Sequence, residues 1–134
     1  MNHRSLPYRM IILLAVFFGA IAAGCDNQTS AGAAKAIETY FTALIDKNSS
    51  QLVSASCASW EASALQELRT FDAVQVSLQD IKCSELSSER TDAQVICTGR
   101  IVANYGNEVL EINLADRTYL AVNEGGEWRM CGYP

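Results

Sequence analysis

Residues 61–83, EASALQELRTFDAVQVSLQDIKC, decide the fold, because the spacing of apolar residues changes within them. Up to Phe71 the apolar residues recur every three or four positions, as on an amphipathic helix. From Val74 onward they alternate with polar residues, which is typical of a strand with one buried face. The sequence therefore predicts helices before this point and an antiparallel sheet after it.

The residues on the N-terminal side predict two further helices, which makes three with the stretch from Glu61 to Arg69. The first carries apolar side chains at three-and-four spacing and needs a surface to pack against. These side chains are Ala33, Ile37, Tyr40, Phe41 and Leu44. Asn48 is a suitable N-cap for a second helix, which we expect to end near Cys57.

Two long strands should follow Phe71 and form a hairpin. The alternation that begins at Val74 changes phase after Leu78, and a bulge near Gln79 and Asp80 would return both halves to one face. A second alternating run covers residues 93–105. The polar residues 85–92 between the two runs are predicted to be the connecting loop.

Three shorter extended segments complete the pattern, at residues 109–114, 118–123 and 127–131. At Asp116 and Arg117 the alternation is ambiguous, so residues 109–123 fit one long bent strand and two separate strands equally well. Either choice gives an α+β domain, with N-terminal helices packed on a curved antiparallel sheet of four to five strands.

The N-terminus has the features of an exported lipoprotein precursor. Arg4 and Arg9 precede an apolar run over residues 10–21, which is too short for a membrane-spanning helix of roughly 20 residues and is typical of a signal peptide. Residues 22–25, AAGC, resemble the lipobox of bacterial lipoproteins. This resemblance implies a signal peptide of residues 1–24, a lipidated Cys25 in a short tether of residues 25–30, and a domain of residues 31–134. The alternative is an ordinary signal peptide cut near Ala23, which would leave Cys25 as a free thiol.

Composition excludes several classes of function. Without Arg4 and Arg9, 8 of the 10 basic residues remain against 15 acidic ones, so the mature chain has a net charge of about −7. This charge argues against a nucleic-acid partner. The single histidine, His3, lies in the signal peptide. The mature chain therefore lacks imidazole catalysis and most catalytic zinc sites, and neither a metal nor a cofactor is expected.

Four cysteines remain once Cys25 is assigned to lipid, and in an oxidising compartment they should form two disulfides. A hairpin that turns near Arg90 places Cys83 opposite Cys97. Cys57 and Cys131 are then paired by elimination. Alternation along the last strand turns Cys131 away from the buried face, so this second pair needs a bulge or a rotation at Gly132.

Residues 36–44, AIETYFTAL, and residues 126–132, GEWRMCG, together with the order of elements, resemble small bacterial lipoproteins of the cystatin-like superfamily. This superfamily includes nuclear transport factor two and ketosteroid isomerase. The resemblance implies a cone in which the first helix lies in the cup of the sheet, often with an apolar pocket at the open end.

The leading functional hypothesis is a noncatalytic module, anchored outside the cytoplasm through the lipid on Cys25, that binds an apolar small molecule or docks an envelope protein. Concave sites are mostly apolar with a few orienting polar groups. The candidate lining residues are Tyr40, Phe41, Trp60 and Tyr119. One alternative is a carboxylate- and tyrosine-based enzyme, isomerase-like or hydrolase-like, although no catalytic residue can be assigned. Another is a structural subunit of an envelope assembly.

Overall fold

The computed structural model describes residues 28–134, with side chains from residue 32 onward. The predicted signal peptide and Cys25 lie outside these residues. The helices are α1 (Gln28–Ile45), α2 (Ser49–Ser54) and α3 (Glu61–Thr70). The strands are β1 (Gln75–Ser88), β2 (Asp92–Asn104), β3 (Val109–Asn113), β4 (Thr118–Glu124) and β5 (Glu127–Met130).

The three helices cover one face of the curled antiparallel sheet, so the predicted α+β architecture is confirmed. Helix α1 buries its apolar face against β1, β4 and β5, and Ile37, Tyr40 and Phe41 are among its buried residues. The helix begins at Gln28, within the segment predicted as a tether. The alanine-rich run that follows Ser30 favours this helical conformation.

Helix α2 is shorter than predicted. Asn48 is its N-cap, with the side-chain oxygen accepting from the Gln51 amide at 3.0 Å. The helix ends at Ser54 and does not reach Cys57, because the next residues pair with the end of β5. The Cys57 amide donates to the Met130 carbonyl, and the Met130 amide donates to the Ala55 carbonyl, each at 2.8 Å.

The sheet runs in the order β1-β2-β4-β5, and β3 also pairs with β2. Strands β3 and β4 lie along different halves of β2, with Ile112 opposite Ile101 and Tyr119 opposite Val95. A 3₁₀ turn, Leu114–Asp116, separates them. Of the two interpretations of residues 109–123, one bent strand or two separate strands, the structure therefore shows the second.

The predicted bulge in β1 is present between Gln79 and Lys82, where the register with β2 shifts. Asp80 has a positive φ of 51°. On the facing strand, Gly99 has a φ of 96°, and a Cβ there would lie 2.5 Å from the Gln79 carbonyl oxygen. Glycine is therefore required at the bend, where it lets the two strands approach closely.

The predicted loop at residues 85–92 is too long. Strand β1 continues to Ser88, paired with Ala93, and β2 already begins at Asp92. A second register shift, between Glu85 and Ser87, lets this polar stretch remain paired. Its polarity reflects exposure at the end of the hairpin, since a strand does not need apolar residues where neither face is buried.

The structure joins Cys83 to Cys97 and Cys57 to Cys131, which are the pairs predicted from the sequence. The first pair links directly opposed residues of β1 and β2. For the second, β5 ends at Met130 and Gly132 has a φ of 99°. The chain thus leaves the regular alternation that would have turned Cys131 away from Cys57. Two disulfides fit an oxidising, extracytoplasmic compartment.

Two further observations concern the part of the chain that the structure describes. It contains no helix that is both long and apolar enough to cross a membrane. Its His, Cys, Asp and Glu side chains form no group of three or more that could hold a metal ion.

Candidate functional site

A cavity of about 150 Å³ lies at the open end of the cone, between the C-terminal half of α1, helix α3 and the sheet. Most of its wall is apolar, with a few polar side chains among the aromatic and aliphatic ones. The lining consists of Phe41, Leu44, Glu67, Thr70, Phe71, Ile101, Ile112, Asn113, Leu114, Arg117, Tyr119 and Tyr133. The 3₁₀ turn contributes Leu114 and leads to Arg117, so the break between β3 and β4 helps to build the site.

Of the four candidate lining residues, the structure places Phe41 and Tyr119 in the wall. Their rings meet edge to face, with centroids 5.2 Å apart. Tyr40 and Trp60 lie behind the wall. Tyr40 is fully buried, and Trp60 packs edge to face on Tyr133, with centroids 5.5 Å apart.

Glu67 is the centre of a hydrogen-bond network that joins the wall to the residues behind it. Its carboxylate accepts a hydrogen bond from the Tyr40 hydroxyl at 2.6 Å and from the Tyr133 hydroxyl at 2.9 Å. The Trp60 indole N–H donates in turn to the Tyr40 oxygen at 3.3 Å. Hydrogen bonds to a charged acceptor are stronger than neutral ones, so this network ties α3 to α1 and to the C-terminal residues.

The tyrosines of this region remain protonated at neutral pH. Burial raises the pKa of Tyr40 far above its usual range, and the hydrogen bond to Glu67 adds to the effect. Burial, together with the nearby Glu67 charge, also raises the pKa of Tyr133. Burial raises the pKa of Tyr119 to about 12. These hydroxyls can donate hydrogen bonds but are poorly suited to act as bases.

Arg117 is exposed at the mouth of the cavity, where its guanidinium lies 5.1 Å from the centre of the Tyr133 ring. This distance is within the range of a cation–π contact. The arrangement holds a positive charge beside an aromatic wall.

Three lining residues are not among those predicted from the sequence: Glu67, Arg117 and Tyr133. Glu67 is a polar position on an amphipathic helix, where a solvent-facing side chain is the usual outcome. Arg117 and Tyr133 lie outside any regular alternation. The ambiguous alternation at Asp116 and Arg117 is a local sign of irregular structure in this region, because a break in alternation is typical of a turn between two strands.

A second depression, of about 510 Å³, lies beside the N-terminal half of α1. It is an open groove bordered by α2 and by the turn between β4 and β5, and most of its lining residues are small or polar, such as Gly32, Thr39 and Ser54. The groove is more open than the cavity, so it would enclose less of a ligand's surface. The cavity is therefore the better candidate site.

No protein-family model matches the sequence, and a search of curated proteins finds no significant match. Among solved structures, the chain is similar to a candidate dehydratase of the nuclear-transport-factor-two-like family from Streptomyces avermitilis. That comparison has a TM-score of 0.50 and 13% identity, and it covers 79% of this chain and 96% of the other. A candidate scytalone dehydratase from Novosphingobium aromaticivorans has a TM-score of 0.44 and 14% identity, with 72% and 74% of the two chains covered. The first likeness shows that the domain has the nuclear-transport-factor-two-like fold, as the sequence resemblance predicted.

Proposed function

We propose that this protein is a lipid-anchored extracytoplasmic module that binds a small apolar ligand in the cavity at the open end of its cone, without turning it over. The observation that carries the proposal is the cavity itself, about 150 Å³ between α1, α3 and the sheet. The cavity is concave and mostly apolar with a few polar side chains, which is the usual character of a small-molecule site. An engineered apolar cavity of about 150 Å³ in another protein binds benzene, which sets the scale of the ligand at about one ring.

The alternative, a carboxylate- and tyrosine-based enzyme, is less well supported. Glu67 lines the cavity, but its carboxylate already accepts hydrogen bonds from Tyr40 and Tyr133. Both hydroxyls therefore donate to Glu67 and do not point their O–H groups at a bound molecule. Glu85, a carboxyl group whose pKa is raised by burial, lies in β1 and does not line the cavity. The geometry therefore favours binding over acid–base chemistry.

Filling the cavity should weaken ligand binding strongly while the fold is kept. Ile112 is a half-buried lining residue on β3, and Ile112→Phe would place a ring in the space that the ligand occupies. We expect the affinity for toluene, measured by NMR titration of the domain with Cys25 replaced, to fall at least about tenfold, which corresponds to 1.4 kcal/mol.

The matched control is Val109→Phe, which makes a β-branched to phenylalanine change on the same strand, at a residue that is 59% exposed and not in the lining. It should bind toluene as the unmodified domain does. Failure of the unmodified domain to bind toluene or any other single-ring probe would contradict the proposed function and favour a docking role.

The anchoring part of the proposal rests on the residues before the described domain, and it predicts a specific chemical product. The N-terminal peptide of the protein extracted from membranes should begin at Cys25 and carry acyl chains, since two or more chains are required for stable anchoring. In Cys25→Ser this acylated peptide should be absent from the mass spectrum, and no protein cleaved after Gly24 should partition into detergent. A native N-terminal peptide that carries no lipid would exclude the lipoprotein assignment.

A further inference from the structure

The polar side chains in the cavity wall are almost all occupied by hydrogen bonds within the protein. Both Glu67 carboxylate oxygens accept from tyrosine hydroxyls. The Thr70 hydroxyl donates to the Glu67 carbonyl at 2.6 Å, and the Tyr119 hydroxyl donates to the Leu114 carbonyl at 2.8 Å. These bonds stabilise the wall and use the single O–H donor of each hydroxyl, so no hydroxyl donor among them is left for a ligand.

Asn113 also forms side-chain hydrogen bonds within the protein. Its side-chain oxygen accepts from the Ala115 amide at 3.1 Å, and its side-chain nitrogen donates to Asp116 at 3.2 Å. These bonds hold the 3₁₀ turn that follows β3. The side chain of Asn113 therefore shapes the mouth of the cavity, and one of its two N–H donors remains without a partner among the described residues.

Arg117 is different. Within residues 32–134 its guanidinium makes neither a salt bridge nor a hydrogen bond, whereas Arg100 and Arg129 each pair with a glutamate. Its position is defined only by the Tyr133 ring beneath it. All five N–H donors of the guanidinium are thus available at the mouth, next to an apolar wall.

From these observations we propose that the cavity selects small aromatic carboxylates, with the ring in the apolar space and the carboxylate paired with Arg117. This inference rests on the proposed ligand-binding function and names its ligand class. A guanidinium matches a carboxylate with two parallel hydrogen bonds, which fixes orientation as well as charge. The cavity volume of about 150 Å³ is sufficient for one aromatic ring.

The test is to titrate the domain with benzoate, benzamide and toluene by calorimetry or NMR. Benzamide has nearly the shape of benzoate but no charge, so the ratio of their affinities isolates the contribution of the carboxylate. We expect benzoate to bind about five- to tenfold more tightly than benzamide, because a hydrogen bond to a charged group contributes more than a neutral one.

Arg117→Gln should remove most of this preference, lowering the affinity for benzoate more than the affinity for benzamide. Arg117→Lys should restore only part of it, since an ammonium keeps the charge but lacks the planar fork. Arg90→Gln is the charge-matched control, because Arg90 is exposed at the β1–β2 turn and does not line the cavity. It should bind all three probes as the unmodified domain does.

The outcomes separate the two proposals. If benzamide and toluene bind but benzoate binds no more tightly, or if Arg117→Gln keeps the preference, the carboxylate inference is wrong and the ligand-binding function stands. If none of the three probes binds the unmodified domain, the proposed function itself fails. If Arg90→Gln reduces benzoate binding as much as Arg117→Gln does, the effect is one of net charge, and the assignment to Arg117 is overturned.

Discussion

Tyr40→Ala should lower the free energy of unfolding by about 4 kcal/mol, since aromatic-to-alanine changes in protein cores typically cost 3–5 kcal/mol. Tyr40 has no exposed surface, and its ring packs edge to face on Phe41 with centroids 5.6 Å apart. Its hydroxyl also holds Glu67 at 2.6 Å. The change would therefore open a cavity in the core and leave a partly buried carboxylate with one fewer donor. Urea or guanidinium unfolding of the domain gives the measurement.

One further variant separates the contributions of the ring and the hydroxyl, and a second is a control at an exposed tyrosine. Tyr40→Phe keeps the ring and removes only the hydrogen bonds, so it should cost about 1–2 kcal/mol. Tyr105→Ala is the control for the loss of a tyrosine side chain, because Tyr105 lies beyond the end of β2 and is 50% exposed. We expect it to change the free energy of unfolding by less than about 0.5 kcal/mol. Equal losses for Tyr40→Ala and Tyr105→Ala would contradict the placement of Tyr40 in the core.

Replacing Cys57 and Cys131 together with alanine should lower the free energy of unfolding by about 4 kcal/mol, as an upper estimate from the entropy of closing the loop between them. The two cysteines are 74 residues apart in sequence, so their bond removes a large part of the freedom of the unfolded chain. In the folded domain the bond joins the segment after α2 to the end of the sheet. Both cysteines should be replaced together, because a single substitution would leave a reactive thiol.

The matched control is the paired replacement of Cys83 and Cys97, which are 14 residues apart and close a much shorter loop. The same reasoning gives about 3 kcal/mol for this pair. Denaturant unfolding of the two double variants should therefore rank the long-range disulfide as the more stabilising one. The reverse order would mean that strain or residual structure in the unfolded chain, and not loop closure, governs the effect.

Much of the fold could be predicted from the sequence because the responsible signals are local. Apolar spacing identifies α1 and α3, alternation identifies β1 and β2, and the phase change after Leu78 locates the bulge. The pairing of Cys83 with Cys97 could be predicted because both residues belong to one hairpin, in which the position of the turn determines which residues face each other. The predicted end of α2 was wrong because the residues after Ser54 form hydrogen bonds with Met130 of β5, which is distant in sequence. The loop after β1 was predicted too long because its polar residues continue to pair with β2.

The candidate site was predicted much less well. Phe41 and Tyr119 could be proposed as lining residues because large aromatic side chains on the core-facing side of an element commonly line concave sites. Glu67, Arg117 and Tyr133 could not, since each belongs to a different segment and has no distinguishing neighbour in the sequence. Their roles depend on which segments meet at the open end of the cone.

The sequence by itself determined the class of this domain, because helix and strand periodicity are properties of consecutive residues and the cone is built from their order. The lack of histidine among the described residues likewise follows from composition alone. Other features depend on contacts between distant segments. These are the position of Tyr40 behind the cavity wall, the hydrogen bonds from two tyrosines to Glu67, and the Arg117 guanidinium, which has no hydrogen-bond partner among the described residues. The physical reason is that hydrogen-bond satisfaction and enclosed volume depend on contacts between residues far apart in the chain, and no local pattern encodes those contacts.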